Sequence, residues 1–270
     1  MLELPGRATN RTRGRLAPWS PVTNHYDATL SNVLHGSSHP RFAPDPAVDP
    51  TVYPVEDDVG EDLLQRMIVT ELLPEVRRWL AEQGEQALAG ADQFIYWKQH
   101  DPFRCVSPDV YVLPGVDPDL RIGAWKVWET GIRPSFALEI VSRSVPKDYV
   151  RAPLRYAELG VDELIVFDPD ASDNPSRIQW QVMQRQGGEL RTSDATNRDR
   201  VASRVLRCWL RVVGEGSRQR LRLATGADGE VLRATAEERA QAEAERARAA
   251  EAESYQLRQQ LEWIRRLQGR

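Results

Sequence analysis

The sequence predicts an α/β fold: a sheet that is parallel in part, helices packed on it, and a long helix appended at the C-terminus. Three observations carry this. An apolar run at 135–142 (SFALEIVS) lies between Pro134 and Pro146, and its length and bounding prolines favour a buried strand over a helix. A helical pattern at 147–159 and a second apolar run at 161–167 follow, and strand–helix–strand at this spacing is a crossover unit that makes neighbouring strands parallel. From Ala236 the composition becomes Ala, Glu, Arg and Gln, without Gly or Pro until Gly269.

Taken in order, residues 1–51 are rich in Pro, Ser, Asn and Arg without periodicity, as expected of a flexible tail. A folded domain is expected over 52–235. From Leu63, the residues Met67, Ile68, Leu72, Val76, Trp79 and Leu80 recur at steps of three and four, which predicts a helix with Asp62 as N-cap and Gly84 at its end. Pro74 inside it is expected to kink or split it. The runs 94–98 and 109–113 read as strands. Pro153 fits only the first turn of a helix, so the helix of 147–159 is expected to start near Ala152 and to end at Gly160. Runs 178–186 and 190–192 flank Gly187–Gly188 as a hairpin, and short strands at 221–223 and 231–232 flank a turn. The segment 236–268 forms a helix of roughly 48 Å at about 1.5 Å per residue.

Composition narrows the function classes. The chain has 270 residues, 41% of them apolar, and a net charge of −4. It is long enough for a sizeable core and is not a polycation built to coat nucleic acid. Cys105 and Cys208 lack metal-type spacing and read as free thiols of a reducing compartment. Neither a signal peptide nor a membrane span is evident, so a soluble, cytoplasmic protein is expected. Only three lysines occur, Lys98, Lys126 and Lys147, which limits lysine-dependent chemistry to three candidates.

Glu139 sits in the middle of the buried run. An ionised carboxylate inside a sheet is costly unless paired or bound to a metal. On the residues alone, an arginine partner and a metal role both stand. The strings around it go further. Val106–Val112 (VSPDVYV) reads as a Pro-Asp strand. It is followed in order by KVWETG at 126–131, FALEIVS at 136–142, YAELGV at 156–161 and FDP at 167–169. Together these resemble the Uma-type (Uma two) family of restriction-endonuclease-like proteins, within the PD-(D/E)XK nuclease superfamily, over about residues 53–232.

The resemblance implies a restriction-endonuclease-like core, a central mixed sheet flanked by helices, and hydrolysis of phosphodiester bonds in DNA with Mg2+ (or Mn2+). It matches Asp109 and Glu139 to the metal-binding acids, and Glu61 to an acid at the start of the first helix, where Gln65 stands in place of a frequent His. Chemistry agrees, since a hard divalent cation takes carboxylate oxygens and keeps several waters. Two positions depart from the family pattern. Val141 stands where the superfamily has its lysine, and Ala152 where family members carry a lysine four residues after an Asp, here Asp148. Arg151 beside it cannot act as a base. Lys147 and Lys126 are the substitute candidates, ahead of Lys98.

Partners are read from two segments. Residues 198–222 hold eight Arg against Asp199 and Glu215, and Arg204, Arg207 and Arg211 are candidates for phosphate contacts. The C-terminal stripe of Ala followed by Leu257, Leu261, Ile264 and Leu267 suits a coiled coil and a homo-oligomer. The alternative to a nuclease is a catalytically idle module that binds nucleic acid or assembles through that helix.

Overall fold

Helix α1 (Leu63–Glu82) is the first helix of the computed structural model, which describes residues 49–51, 53, 63–141, 147–171 and 174–268, with the side chains of 147, 148 and 267 excepted. The tail expected over 1–51, apart from its last three residues, and the N-cap expected at Asp62 lie outside the described residues. Pro74 does not split α1. Its ring sits on the exposed side, while Ile68, Val69, Leu72, Val76, Trp79 and Leu80 continue one buried face across it. Burial of that face outweighs one lost helical hydrogen bond. Gly84 ends the helix at φ +70°, with its amide bonded to the Ala81 carbonyl at 3.0 Å.

Six strands form the central sheet: β1 (Ala87–Gly90), β4 (Val110–Pro114), β6 (Phe136–Ile140), β7 (Glu163–Phe167), β8 (Trp180–Gln186) and β9 (Glu189–Thr196). They lie in the order β1-β4-β6-β7-β8-β9. All neighbours are antiparallel except β6 and β7, which are parallel with Phe136 beside Glu163 and Ile140 beside Phe167. The sheet is therefore mixed. Its crossover is a π-helical turn (Lys147–Arg151) running into α3 (Ala152–Leu159), with Pro153 in the first turn and Gly160 closing it at φ +94°. The π turn replaces the early helical residues that periodicity suggested.

A second sheet of four antiparallel strands, β10 (Arg200–Ser203), β11 (Cys208–Val213), β12 (Arg220–Thr225) and β13 (Val231–Leu232), and a three-stranded one, β3 (Cys105–Val106), β2 (Phe94–Tyr96) and β5 (Ala124–Lys126), complete the body. A short helix α2 (Val127–Thr130) follows β5.

Alternation along β4 and β6 sends the two sheet faces into two cores. Val110, Val112, Leu138 and Ile140 join α1 and the second sheet, where Trp79 Nε1 donates to the Leu206 carbonyl at 2.7 Å. Tyr111, Leu113, Ala137 and Val141 join α3 and the three-stranded sheet. Helices thus cover both faces, as expected. Helix α4 (Ala236–Gln268) leaves from this body, and none of its described residues is buried. Among the described residues, no helix is long and apolar enough to cross a membrane.

Candidate active site at the end of the central sheet

Asp109 precedes β4, held in place by the Pro108 carbonyl, which accepts the Asp92 amide at 2.9 Å. It is 3% exposed. Its Oδ2 accepts the backbone amide of Ile140 at 2.5 Å, and its Oδ1 accepts the side-chain amide of Gln65 from α1. Ile140 is the last residue of β6 and follows Glu139. The register pairs Val110 with Leu138, so one further step sets Asp109 across from Glu139. The two sequence-predicted acids thus belong to the same end of the sheet, where β4 begins and β6 ends.

Glu139 is half-buried. Its Oε1 accepts a hydrogen bond from the hydroxyl of Tyr156, a fully buried residue of α3. Helix α1 therefore reaches Asp109 from one side of the sheet and α3 reaches Glu139 from the other. Like charges opposed across strands are destabilising. Hydrogen bonds to a carboxylate offset part of such repulsion, and Asp109 and Glu139 together accept three, at a pair of acids that offers only hard oxygen ligands.

That donor set fits a hard divalent cation. It holds carboxylates and no thiolate or imidazole, the preference of Mg2+ or Mn2+. Among the described residues, no group of three or more His, Cys, Asp and Glu is placed to hold a metal, so a cation here would take much of its shell from water, as Mg2+ commonly does. Glu61, the third acid expected from the sequence, lies outside the described residues.

Two of the expected lysines pair with acids close to them in sequence. Lys126 ends β5, with Nζ 3.3 Å from Glu129 and 5.0 Å from the centre of the Tyr53 ring. Lys98 is 3.6 Å from Asp101 on an exposed turn. Lys147 opens the π turn, and its side chain is outside the described part. Val141, where the sequence resemblance leads to an expected lysine, is 4% exposed in the apolar cluster of α3. Ala152 packs partly buried against the same cluster. An ammonium buried at either point would be disfavoured by desolvation.

A second polar cluster sits beside the acids. The Val141 amide bonds to the Phe167 carbonyl at 2.8 Å, and Asp168 follows β7 fully buried. Arg177 grips Asp168 with two bonds of 2.6 Å, from Nε and Nη2, and Tyr149 of the π turn donates its hydroxyl to Oδ2. Burial, reinforced by the bond to Asp168, pushes the Tyr149 phenol up to about 12. The crossover is thus tied to strand ends at two points, Tyr156 to Glu139 and Tyr149 to Asp168. Sequence reading missed both tyrosines as polar contacts, because apolar spacing counts their rings and ignores their hydroxyls. The string FDP at 167–169 marked Asp168 without showing its partners.

The arginine region is mostly paired. Arg207 and Arg204 lie in the β10–β11 turn. Arg207 forms an ion pair with Glu85, and Arg211 on β11 is 2.9 Å from Asp199, which also takes Arg200. Arg204 gives its backbone amide to the buried Glu163 at 2.9 Å while its side chain is exposed. Ser203 and Val205 also donate to Glu163, so this acid shapes the turn that presents the arginines.

The model of the Uma2 family, described as "Putative restriction endonuclease", matches residues 59–212. No curated protein matches the chain. A solved structure titled as a "putative nuclease belonging to DUF820 from Anabaena variabilis ATCC 29413" is similar at 15% identity, with a TM-score of 0.39 over 54% of this chain and 75% of that one.

Proposed function

Since the chain belongs to the Uma2 family of restriction-endonuclease type, we propose that it is a divalent-metal-dependent endonuclease hydrolysing phosphodiester bonds in DNA. The observation that supports this reading is the bond from the Ile140 amide to Asp109, which ties one acid to the residue that follows the other in β6. Asp109 and Glu139 would hold Mg2+ or Mn2+, with Glu61 as the candidate third acid. The bound cation supplies Lewis-acid stabilisation of phosphoryl charge and a more acidic water. Gln65 and Tyr156 orient the two carboxylates, one from each side of the sheet. Lys147 and Lys126 are the candidates to face the developing charge in place of a lysine at Val141.

Two measurements on purified protein test this. Supercoiled plasmid should be nicked in the presence of Mg2+ or Mn2+, and Mn2+ binding should be visible by paramagnetic resonance. Asp109→Asn and Glu139→Gln should each abolish nicking and weaken Mn2+ binding. Nicking that persists in both variants would place the activity elsewhere. A second reading is favoured by one observation, the apolar setting of Val141 and Ala152: an idle module that binds DNA without cutting it. Mn2+ and DNA binding with no nicking under any divalent cation would select it.

Phosphate contacts are assigned to Arg204, Arg207 and Arg211. Replacing all three with Gln should weaken DNA binding and lower the slope of log affinity against log salt by about 0.9 for each lost duplex contact. An unchanged slope would move the DNA path to another face.

A further inference from the structure

Among the described residues, helix α4 forms ion pairs with the body through its first turn, from Glu238 to Arg222 and from Arg239 to Glu75. Beyond that turn its described residues are almost all exposed. Leu257, Leu261 and Ile264 are 52%, 55% and 42% exposed. A helix of Ala, Glu, Arg and Gln can persist alone through propensity and i,i+4 bonds such as Gln241 to Glu245 at 2.7 Å. Tyr255 and Trp263 of the same helix are also exposed, and that account leaves the row of Leu257, Leu261 and Ile264 without a role.

Their spacing supplies one. Ala247, Ala250, Ser254, Leu257, Leu261 and Ile264 alternate steps of three and four, the heptad pattern of a coiled-coil seam. With Leu257 and Ile264 at d and Leu261 at a, the flanking g positions are Arg246, Glu253 and Gln260, and the e positions are Glu251, Arg258 and Arg265. In a parallel, in-register pair each g residue faces the e residue five positions on in the other chain. Arg246 then meets Glu251 of the partner subunit, and Glu253 meets Arg258 of the partner subunit. Gln260 faces Arg265 of the partner subunit without repulsion. Every flanking pair in this stretch is therefore attractive or neutral.

We propose that α4 binds a second copy of itself as a parallel, in-register coiled coil, with Leu257, Leu261 and Ile264 as its apolar centre and the pairs Arg246–Glu251 and Glu253–Arg258 setting direction and register. Antiparallel pairing would set g against g and e against e, where these complementary charges no longer face each other. The Ala-rich part of the seam packs closely and buries little area, so the last turns carry most of the association.

Light scattering of the full-length protein at tens of micromolar should give a dimer. Glu253→Arg has no charged residue three or four positions away within its own helix, so it should leave helicity by circular dichroism unchanged. It flips both symmetric Glu253–Arg258 contacts and should raise the dimer dissociation constant about tenfold. Adding Arg258→Glu should restore dimerisation, since residues 253 and 258 lie on different sides of one helix and can meet only between chains. Mild oxidation should cross-link Leu257→Cys dimers and not Tyr255→Cys, which lies off the seam, with the unsubstituted chain as the control for Cys105 and Cys208. A monomer at these concentrations would overturn the proposal. So would a dimer that ignores Glu253→Arg, fails to recover in the double variant, or leaves Leu257→Cys uncross-linked.

Discussion

Tyr156 is buried with its hydroxyl on Glu139, so the acid is oriented by a residue whose ring belongs to the core. Groups that orient a metal ligand typically change metal affinity 10- to 100-fold when removed. Tyr156→Phe keeps the ring and deletes only the bond. It should weaken Mn2+ binding by about that factor, cost about 1 kcal/mol of stability, and leave more activity than Glu139→Gln. An equal loss of binding in Tyr156→Phe and Glu139→Gln would mean that the tyrosine acts on more than orientation. The cysteines give a separate check at this scale. Burial pushes the Cys208 thiol up to about 12, whereas Cys105 is only half-buried. Since the thiolate is the reactive form, iodoacetamide at pH 8 should label Cys105 well before Cys208 in the native protein. In urea the two rates should converge. Rapid native labelling of Cys208 would contradict the packing around it.

At the scale of elements, the crossover between β6 and β7 carries the most information. Its Tyr149–Asp168–Arg177 cluster joins the π turn to the segment after β7. Asp168→Ala would leave Arg177 only its looser pair with Asp170 at 3.7 Å and Tyr149 only its contacts with the Ile178 backbone, at a cost of about 3 kcal/mol. Urea denaturation should show this as a lower midpoint with an unchanged slope. A loss under about 1 kcal/mol would show that water replaces the carboxylate.

The helix itself was legible from sequence, because Pro153 is tolerated only in the first turn and Gly160 supplies the left-handed end. Strands β6, β7, β8 and β12 were legible too, since each is apolar or alternating over several residues. Strands β1, β3 and β5 were not. They span four, two and three residues and lack the aromatic, β-branched run that marked β2, so their pairing is imposed by neighbours. Pro74 does not split α1 for the opposite reason: a local breaker is overruled by a face of long-range contacts. Asp109 and Glu139 were legible as candidate metal ligands because they carry their meaning in local strings. Gln65 and Tyr156, which hold them, come from distant segments and acquire their roles only once both helices pack.

For the whole molecule, a net charge of −4 sits beside an arginine-rich second sheet whose guanidinium groups are mostly matched to Glu71, Glu85, Asp199 and Glu238. DNA approaching this face would have to compete with those carboxylates. Removing Glu85, the partner of Arg207, should therefore strengthen binding to DNA at low salt by severalfold, and fluorescence anisotropy would detect it. Weaker binding by Glu85→Gln would instead show that the ion pair holds the β10–β11 turn in its DNA-facing shape.

The junction between the body and α4 is short and tied throughout. After β13 the Arg233 amide bonds to the Leu223 carbonyl at 2.9 Å, and Arg233 stacks 4.4 Å from the Trp79 ring. The Ala234 carbonyl accepts Arg78 at 2.7 Å, and the Thr235 hydroxyl accepts the Glu238 amide at 3.1 Å. Such a joint transmits direction where a Gly/Ser linker would lose it within a few residues. Two copies joined along this helix would hold their sheet ends at a set spacing and angle, like the jaws of a caliper. The spacing between paired nicks on a duplex would then be a property of the joint, and a few glycines inserted between Ala234 and Thr235 would broaden it without touching an acid of the site.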